Sequence, residues 1–547
     1  MKKRLTFLLI AVWIAVCAVL FASADGTEAK TLRIIATSDL HGKLVPWDYA
    51  LNAESPSGSM AQLATAIARY RTEDAILVDA GDTINDNSAD LFVGDEGVHP
   101  MIQAINALDY DVWVTGNHEY NYGMETLKKT IGDLQCKVLT GNVYDRDGSP
   151  IADGYTLLEV GGVRVAVIGM VTPNIARWDA ANLEGCTVTD PLAETRRIID
   201  GIRGQYDVLV GVFHMDLENE FSVPNSGVTD ILNACPEFDV MISSHLHRLI
   251  PGVEINGVLV VQNRHQAQTM AVIDLTLEKD GDGWKVVDRV SQSVRIADFE
   301  ADPAMMALLR DYDARARADA NRVIGHLEGG PLAPEGGTAE IPAARIQDTA
   351  LMDLINAAQL HYAQADVAAA ALFVGDANLY PGEIRKCDSA RIYRYANSLY
   401  KVHMTGAQLK EFMEWSSRYF KTFQPGDSAI QADVSFNPAN YFMFSGVGYE
   451  LNLSRDPGSR IEHLTWPNGT PVRDDDELDL AVNNYSATSV LLTPGEIYEA
   501  DDMPTLVEME VHGEIGGIRE LIRDYIITVK GGTIFPDCDE NWRITLQ

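Results

Sequence analysis

The residues best able to do chemistry are Asp39, His41, Asp82, Asn117, His118, His214, His245 and His247. They occur as Asp39-Leu40-His41-Gly42, Gly81-Asp82, Gly116-Asn117-His118-Glu119, a single His214, and His245-Leu246-His247. Each set follows a short apolar run, so each reads as a strand passing into a polar turn. Carboxylate, amide and imidazole without thiolate suit zinc, manganese, iron(II) or cobalt, and suit copper(I) or an iron–sulfur cluster poorly. The set exceeds what one tetrahedral zinc needs. It fits two ions about 3.5–4 Å apart with one bridging carboxylate, an arrangement that stabilises the attacking and leaving oxygens of a displacement together.

Such chemistry requires the five turns to meet. The runs 32–37, 75–80, 111–115, 208–213 and 239–243 have strand character, as do 137–140 and 163–170. Helical spacing falls between them, at 60–71 (Met60, Leu63, Ile67, Tyr70), 99–108, 125–131 and 192–206. Strands alternating with helices argue a layered α/β domain, and open α/β sheets bind ligands at the C-terminal edges of their strands. The pattern predicts all five turns on one edge of one sheet. Gly116 is expected to turn the chain sharply by adopting backbone angles closed to other residues. The runs 258–262, 269–277 and 284–290 read as hairpin-like strands that finish the sheets.

With 547 residues the chain is too long for one core, and 46% hydrophobic residues are enough to build two. Residues 1–24 read as a secretory signal peptide: Lys2-Lys3-Arg4, an apolar stretch over 5–21, then Ala22-Ser23-Ala24. Its removal would take away three cations and no anion, moving the formal charge from −36 to −39. Such a surface repels polymeric nucleic acid and anionic membranes. An anionic substrate would need local positive charge, which bound metal ions supply. The remaining cysteines (Cys136, Cys186, Cys235, Cys387, Cys538) are odd in number and sparse, without a Cys-x-x-Cys pair or a dense disulfide framework. The sequence predicts an exported protein with no membrane span after signal cleavage.

Residues 302–323 have a helical composition, and Gly329-Gly330-Pro331 to Gly336-Gly337 punctuates the chain after them. The expected organisation is therefore 31–297, a helical linker over 298–340, and a second domain over 341–547. That second part opens with a helix near 349–362, continues as mixed α and β, and is richer in aromatics.

In that order after successive strands, Asp-x-His, Gly-Asp, Gly-Asn-His-Glu, His and His-x-His resemble the calcineurin-type metallophosphoesterases. The two-domain extent resembles the exported 5′-nucleotidase family, and most nearly its 2′,3′-cyclic-nucleotide 2′-phosphodiesterase/3′-nucleotidase branch. The resemblance implies a four-layer α/β/β/α catalytic domain and a C-terminal α+β substrate-binding domain. It implies two divalent metal ions, with Asp39, His41 and His247 on one, Asp82 bridging, and Asn117, His214 and His245 on the other. His118 would face the phosphoryl group without binding metal. Three positions depart from the family pattern: Asn121 where an Asp commonly pairs with the catalytic histidine, Met215-Asp216 where small residues are usual, and Ser244 in place of Gly.

The resemblance also implies nucleotide substrates, with the base held between two aromatic faces; the chain is expected to be a monomer. The best matches are Tyr441, with Phe444 as competitor, and Tyr485 in Asn483-Asn484-Tyr485-Ser486-Ala487. Stacking of this kind tolerates any base. Where the 5′-nucleotidase branch carries a Gly-rich segment with an Arg, this chain reads Val374-Gly375-Asp376-Ala377-Asn378, and Arg385 comes only later. Hydrolysis of 2′,3′-cyclic nucleotides and 3′-nucleotides is thus expected. The alternatives are a 5′-nucleotidase or UDP-sugar hydrolase, and a non-catalytic ligand-binding protein on the same fold.

Overall fold

Strict alternation along Ala29–Thr37 decides how the first part of the chain packs. Leu32, Ile34 and Ala36 enter one core with Ile76, Val78, Val112 and Val114 of neighbouring strands, while Ile35, Leu77 and Trp113 are buried on the opposite face. The first core is closed by a second sheet, through Val163, Val165, Val167, Val208, Val210, Val212, Val240 and Ile242. That sheet's other face packs on Ile198, Ile199 and Ile202 of helix Pro191–Ile202 and on Val228, Ile231 and Leu232 of helix Val228–Ala234. The layers are therefore α/β/β/α. The computed structural model describes residues 28–547 apart from 339, 396 and 514; the signal peptide expected over 1–24 lies outside them.

Both sheets have six strands. The first runs Gly283–Arg295, Thr269–Asp280, Ala29–Thr37, Ala75–Asp79, Val112–Val114, Lys137–Leu139, and its last four strands are mutually parallel. The second runs Ile250–Ile255, Val258–Gln262, Val240–Ser243, Val208–His214, Val163–Val171, Tyr155–Val160, with a parallel centre. This corrects the single-sheet expectation. Turns after Thr37, Asp79 and Val114 come from the first sheet, and those after Phe213 and Ser243 come from the second.

The chain divides into two compact units. The first holds the described residues up to Trp47 with Glu54–Asp313, and the second holds Asp48–Ala53 with Ala314–Gln547. The division falls within helix Pro303–Ala320, earlier than the Gly/Pro stretch suggested. Strand Val323–Leu327 already pairs with Gly382–Arg385 and Thr533–Ile534, and Leu332 and Ala333 of the Gly/Pro stretch are buried in the second core. Apolar residues inside a turn-rich stretch are what gave it a place in that core. The second unit is built on a five-stranded sheet ordered Phe442–Ser445, Val367–Ala371, Glu477–Asn483, Leu399–Thr405, Thr505–Glu508, with helix Ala350–Ala363 against it. In this unit Asp348, Asp353 and Cys538 bring ligand-type atoms within 4.8 Å of one another. Burial, and then neighbouring carboxylates including Asp539, push Asp348 up to about 6 and Asp353 up to about 7.

Gly116 is not at positive φ, so its expected role is corrected as well. What it provides is space: a Cβ there would lie 2.2 Å from Asp82 Oδ1 and 2.4 Å from the Asp82 nitrogen. Gly116→Ala should cost about 1–3 kcal/mol through overpacking, read in denaturant melts, and a melt matching wild type would contradict this close approach. A second expectation follows from Asp348 and Asp353. Their carboxyl pKa values are raised on folding, so their contribution is fully present below the unfolded value near 4 and is lost as pH rises through about 6 to 7. Melting temperature should fall over that window, and Asp353→Asn should flatten the fall.

Candidate metal centre

Five of the candidate ligands stand in backbone conformations unusual for their residue types. Asp39, His41, Asp82, His245 and His247 have φ of 52°, 45°, 58°, 83° and 58°. Non-glycine residues at positive φ are uncommon, and they concentrate at functional sites where the surroundings over-determine them. The surroundings here are a set of hydrogen bonds between turns. Asp39 N donates to Gly81 O (2.8 Å), His41 N to Asp82 O (2.9 Å), Gln266 N to Asp39 O (2.7 Å), and His245 N to Asp39 Oδ1 (3.1 Å).

Glu119, given no role by the sequence reading, is the clamp. Fully buried, its carboxylate accepts from Asp82 N (2.9 Å), Thr83 N (2.7 Å) and Gly116 N (2.7 Å), tying two turns of the first sheet together. Burial and the nearby Asp82 charge raise its pKa against the pull of those amides. Its position directly after Gly-Asn-His was visible, but that two of its partners, Asp82 and Thr83, lie more than thirty residues away was not.

Two donor groups form, Asp39 with His41 and His247, and Asp82 with His214 and His245. In the first, His247 Nε2 lies 3.6 Å from Asp39 Oδ1 and 3.0 Å from His41 Nε2. In the second, His214 Nε2 lies 3.1 Å from Asp82 Oδ2 and 3.0 Å from Asn117 Oδ1. The same Asp82 oxygen is 3.9 Å from His41 Nε2, so one buried carboxylate faces both groups. All seven residues expected as ligands are brought together.

The donors fit divalent cations. Oδ2 of Asp39 is buried without a hydrogen-bond partner, and the Nε2 atoms of His41 and His247, 3.0 Å apart, share a proton that a cation between them would displace. Burial opposes a charged His214, yet Asp82 and Asp39 outweigh it and push that imidazole up to about 10. Burial alone would also raise Asp82, but His214, His118 and His41 hold it well below the usual carboxylate range. His247, in contrast, is pushed down to about 4, chiefly by burial. Around Asp82, a field that draws protons this strongly favours a metal ion in their place.

His118 belongs to neither group. Its Nε2 is 4.0 Å from Asp82 Oδ2, and its Nδ1 is 2.7 Å from Asn121 Oδ1. Asn121 Nδ2 donates in turn to Asp179 Oδ1 at 3.0 Å. The carboxylate missing at position 121 is thus supplied one residue further out, by Asp179, which nothing in the sequence singled out. Although burial lowers the pKa of the His118 imidazolium, Asp82 and the Asn121 bond lift it overall. The other two departures are accommodated in the packing. Met215 and Asp216 are buried, with Arg248 Nη1 3.2 Å from Asp216, and Ser244 Oγ sits 3.2 Å from His214 Nδ1.

The aromatic positions divide. Tyr441 is 3% exposed, stacked on Tyr419 with centroids 5.1 Å apart and set edge-on to Phe420. The expectation that it offers a free stacking face is corrected: it is a core aromatic, as is its competitor Phe444. Tyr485 is 61% exposed and lines a cavity of about 260 Å³ with Phe373, Tyr395, Asn397, Asn437 and Asn483. Tyr395, 53% exposed, is the aromatic that sequence reasoning missed, and it meets Phe373 edge-on at 4.9 Å. The pairing Leu399↔Asn483 explains why both tyrosines line one cavity: the start of one strand lies beside the end of its antiparallel neighbour, with Tyr395 shortly before the one and Tyr485 shortly after the other.

Residues 32–249 match the family model for calcineurin-like phosphoesterases, and residues 323–490 match that for the 5′-nucleotidase C-terminal domain. The chain is 25% identical to a Yersinia enterocolitica 2′,3′-cyclic-nucleotide 2′-phosphodiesterase/3′-nucleotidase, over 99% of this chain and 92% of that one. It is 27% identical to a trifunctional nucleotide phosphoesterase of Bacillus subtilis over 94% of its own length, but spans only 39% of that protein. Its fold is similar to the crystal structure of a Thermus thermophilus 5′-nucleotidase precursor (TM-score 0.53, 19% identity, 95% and 100% of the two chains covered).

Variants at this centre should separate the roles. Asp82→Asn and His245→Ala should each reduce bound metal below two ions per chain, measured by elemental analysis, and abolish turnover. His118→Ala should keep both ions and lose about 10²–10⁴ in kcat, the range for a lost acid–base group. Loss of metal from His118→Ala would contradict its placement outside the two groups.

Proposed function

Starting from a chain that joins a calcineurin-like phosphoesterase domain to a 5′-nucleotidase C-terminal domain, and so belongs to the metal-dependent phosphoesterases of that family, we propose that it hydrolyses 2′,3′-cyclic nucleotides and the resulting 3′-nucleotides to nucleoside and phosphate. The observation that carries the phosphoesterase chemistry is the position of Asp82 between two donor groups with His118 alongside. Two divalent ions held there would supply an activated water and positive charge opposite the phosphoryl oxygens. His118, oriented through Asn121 by Asp179, stabilises charge on the phosphoryl group or gives a proton to the leaving sugar oxygen. An amide partner fixes the ring with less stabilisation of its cation than a carboxylate in direct contact would give.

The substrate assignment is supported by the run Gly116-Asn117-His118-Glu119-Tyr120-Asn121-Tyr122-Gly123 and by relatives bearing that activity in their names at 25–27% identity. The cavity beside Tyr485, with Tyr395 and Phe373, is the base-binding subsite in this reading, and the flanking Asn397, Asn437 and Asn483 offer amides to base or sugar. The proposal places the protein outside the cytoplasm, on the strength of the leader-like sequence of residues 1–24; among the described residues no helix is long and apolar enough to cross a membrane.

A panel of 2′,3′-cyclic AMP, 3′-AMP, 5′-AMP and UDP-glucose tests the assignment. The first two should give the highest kcat/KM, and a preference for 5′-AMP or UDP-glucose would replace it with the 5′-nucleotidase alternative. Tyr485→Ala and Tyr395→Ala should each raise KM for cyclic nucleotides by an amount equivalent to about 1–3 kcal/mol, with kcat nearly unchanged because uniform binding is lost. Hydrolysis of bis-p-nitrophenyl phosphate, which has no nucleobase, should stay near wild type. A parallel loss on both kinds of ester would reject the stacking role.

A further inference from the structure

Histidines at the metal centre differ in what holds their second nitrogen. His41 Nδ1 is 2.7 Å from the Asn85 side-chain oxygen, and His214 Nδ1 is 2.6 Å from the Ala80 carbonyl oxygen. In both, a neutral acceptor fixes the outer nitrogen and leaves Nε2 facing the centre. His245 is held the other way round. Its Nε2 lies 3.0 Å from Oε2 of Glu220, a carboxylate outside both donor groups. Among these three histidines, only His245 has a full negative charge on its outer nitrogen.

The chain around Glu220 is built to put that carboxylate there. Glu220 sits in the connection between strand Val208–His214 and helix Val228–Ala234, whose first two residues, Met215-Asp216, stand where small ones were expected. Directly after it, Phe221 and Ser222 have φ of 51° and 58°, and Asn225 has 60°. A bulky aromatic at positive φ is a genuine outlier that persists only where the surroundings impose it. The imposing contacts are visible: Glu220 N donates to Ser226 Oγ (2.9 Å), Asn219 Nδ2 to Asp230 Oδ2 (2.6 Å), and Gly227 N to Asn219 Oδ1 (2.9 Å). A Cβ at position 227 would lie 2.3 Å from the Glu218 carbonyl carbon, so this loop has one way to close. Oε2 of Glu220 is buried and receives no hydrogen bond of good geometry, although His245 lies within reach. The Trp178 ring flanks His245 at 5.5 Å and meets Phe221 edge-on at 5.8 Å, which walls this pair on one side.

We infer that Glu220 is a positioning residue for the second ion. With its Oε2 3.0 Å from His245 Nε2, the carboxylate keeps the imidazole proton on that outer nitrogen and so leaves Nδ1 as the donor atom beside Asp82 and His214. Loss of such an outer carboxylate typically weakens metal binding 10–100-fold. The inference rests on the two-ion reading of the centre. It adds that the two subsites are unequal, because one alone depends on a charge carried by the 215–227 loop.

The test is Mn²⁺ titration by calorimetry into metal-free wild-type, Glu220→Gln and Glu220→Ala protein, with the Co²⁺-substituted absorption spectrum as a second readout. Wild type should take up two ions. Glu220→Ala should bind one ion as wild type does and the other about 10–100-fold more weakly, with a changed spectrum for the second Co²⁺ only. Two ions bound by Glu220→Ala with wild-type affinity and spectrum would overturn the inference and leave the two-ion reading standing. A single ion in wild type would instead overturn that reading. Melts of the metal-free proteins control for folding; should Glu220→Ala be unfolded, the near-isosteric Glu220→Gln decides by the same criterion.

Discussion

One buried carboxylate organises the catalytic unit. Asp82 is almost fully enclosed, and its Oδ2 lies within 4.0 Å of His41, His118 and His214. An isolated charge in that position would be costly to bury. It is held by the backbone amide of His118, by imidazoles on three sides and by a fit tight enough to exclude any side chain at position 116. The left-handed backbone of Asp39, His41, Asp82, His245 and His247 is intelligible in this light. Five residues adopt unfavourable angles so that their side chains converge around one point, and the sheets and the Glu119 clamp hold the turns in place.

The centre straddles two sheets. Asp39, His41, Asp82, Asn117 and His118 descend from the first, whereas His214, His245 and His247 descend from the second. Packing the two sheets face to face through Val-, Ile- and Leu-rich strands is therefore what closes the donor sets. Core substitutions far from the ligands should reach the metals through this packing, since close-packed interiors transmit strain. The second unit has a different role, since its exposed tyrosines face a cavity lined by amides, without a histidine or a carboxylate. In the proposed reading, charge recognition and base recognition belong to separate cores.

The residues that converge at the centre were legible in the sequence because metal chemistry restricts residue types severely, and because each donor lies at the end of a strand or in the turn that follows it. The layered α/β order was legible from strand and helix periodicity. Division of the strands between two sheets was not, since period-2 patterning gives a strand's faces but not its partners. Glu119, Asp179 and Glu220 escaped notice for a related reason. Each acts on a ligand or on His118 from a distant part of the chain, and an acidic residue in a loop has no local signature of such a role. Tyr441 misled because its local motif says nothing about burial, and Tyr395 was overlooked because its value depends on the register between strands Leu399–Thr405 and Glu477–Asn483. The Gly/Pro run at 329–337 looked like a boundary because punctuation marks turns, whether or not a domain ends there.

The central claim is that one carboxylate, Asp82, is shared by two ions. The most direct measurement is anomalous diffraction from crystals of the Mn²⁺-loaded protein, with data on both sides of the manganese edge. The account predicts two anomalous peaks about 3.5–4 Å apart, with Asp82 between them and His118 bound to neither. A single peak, or two peaks too far apart for one carboxylate to bridge, would contradict it.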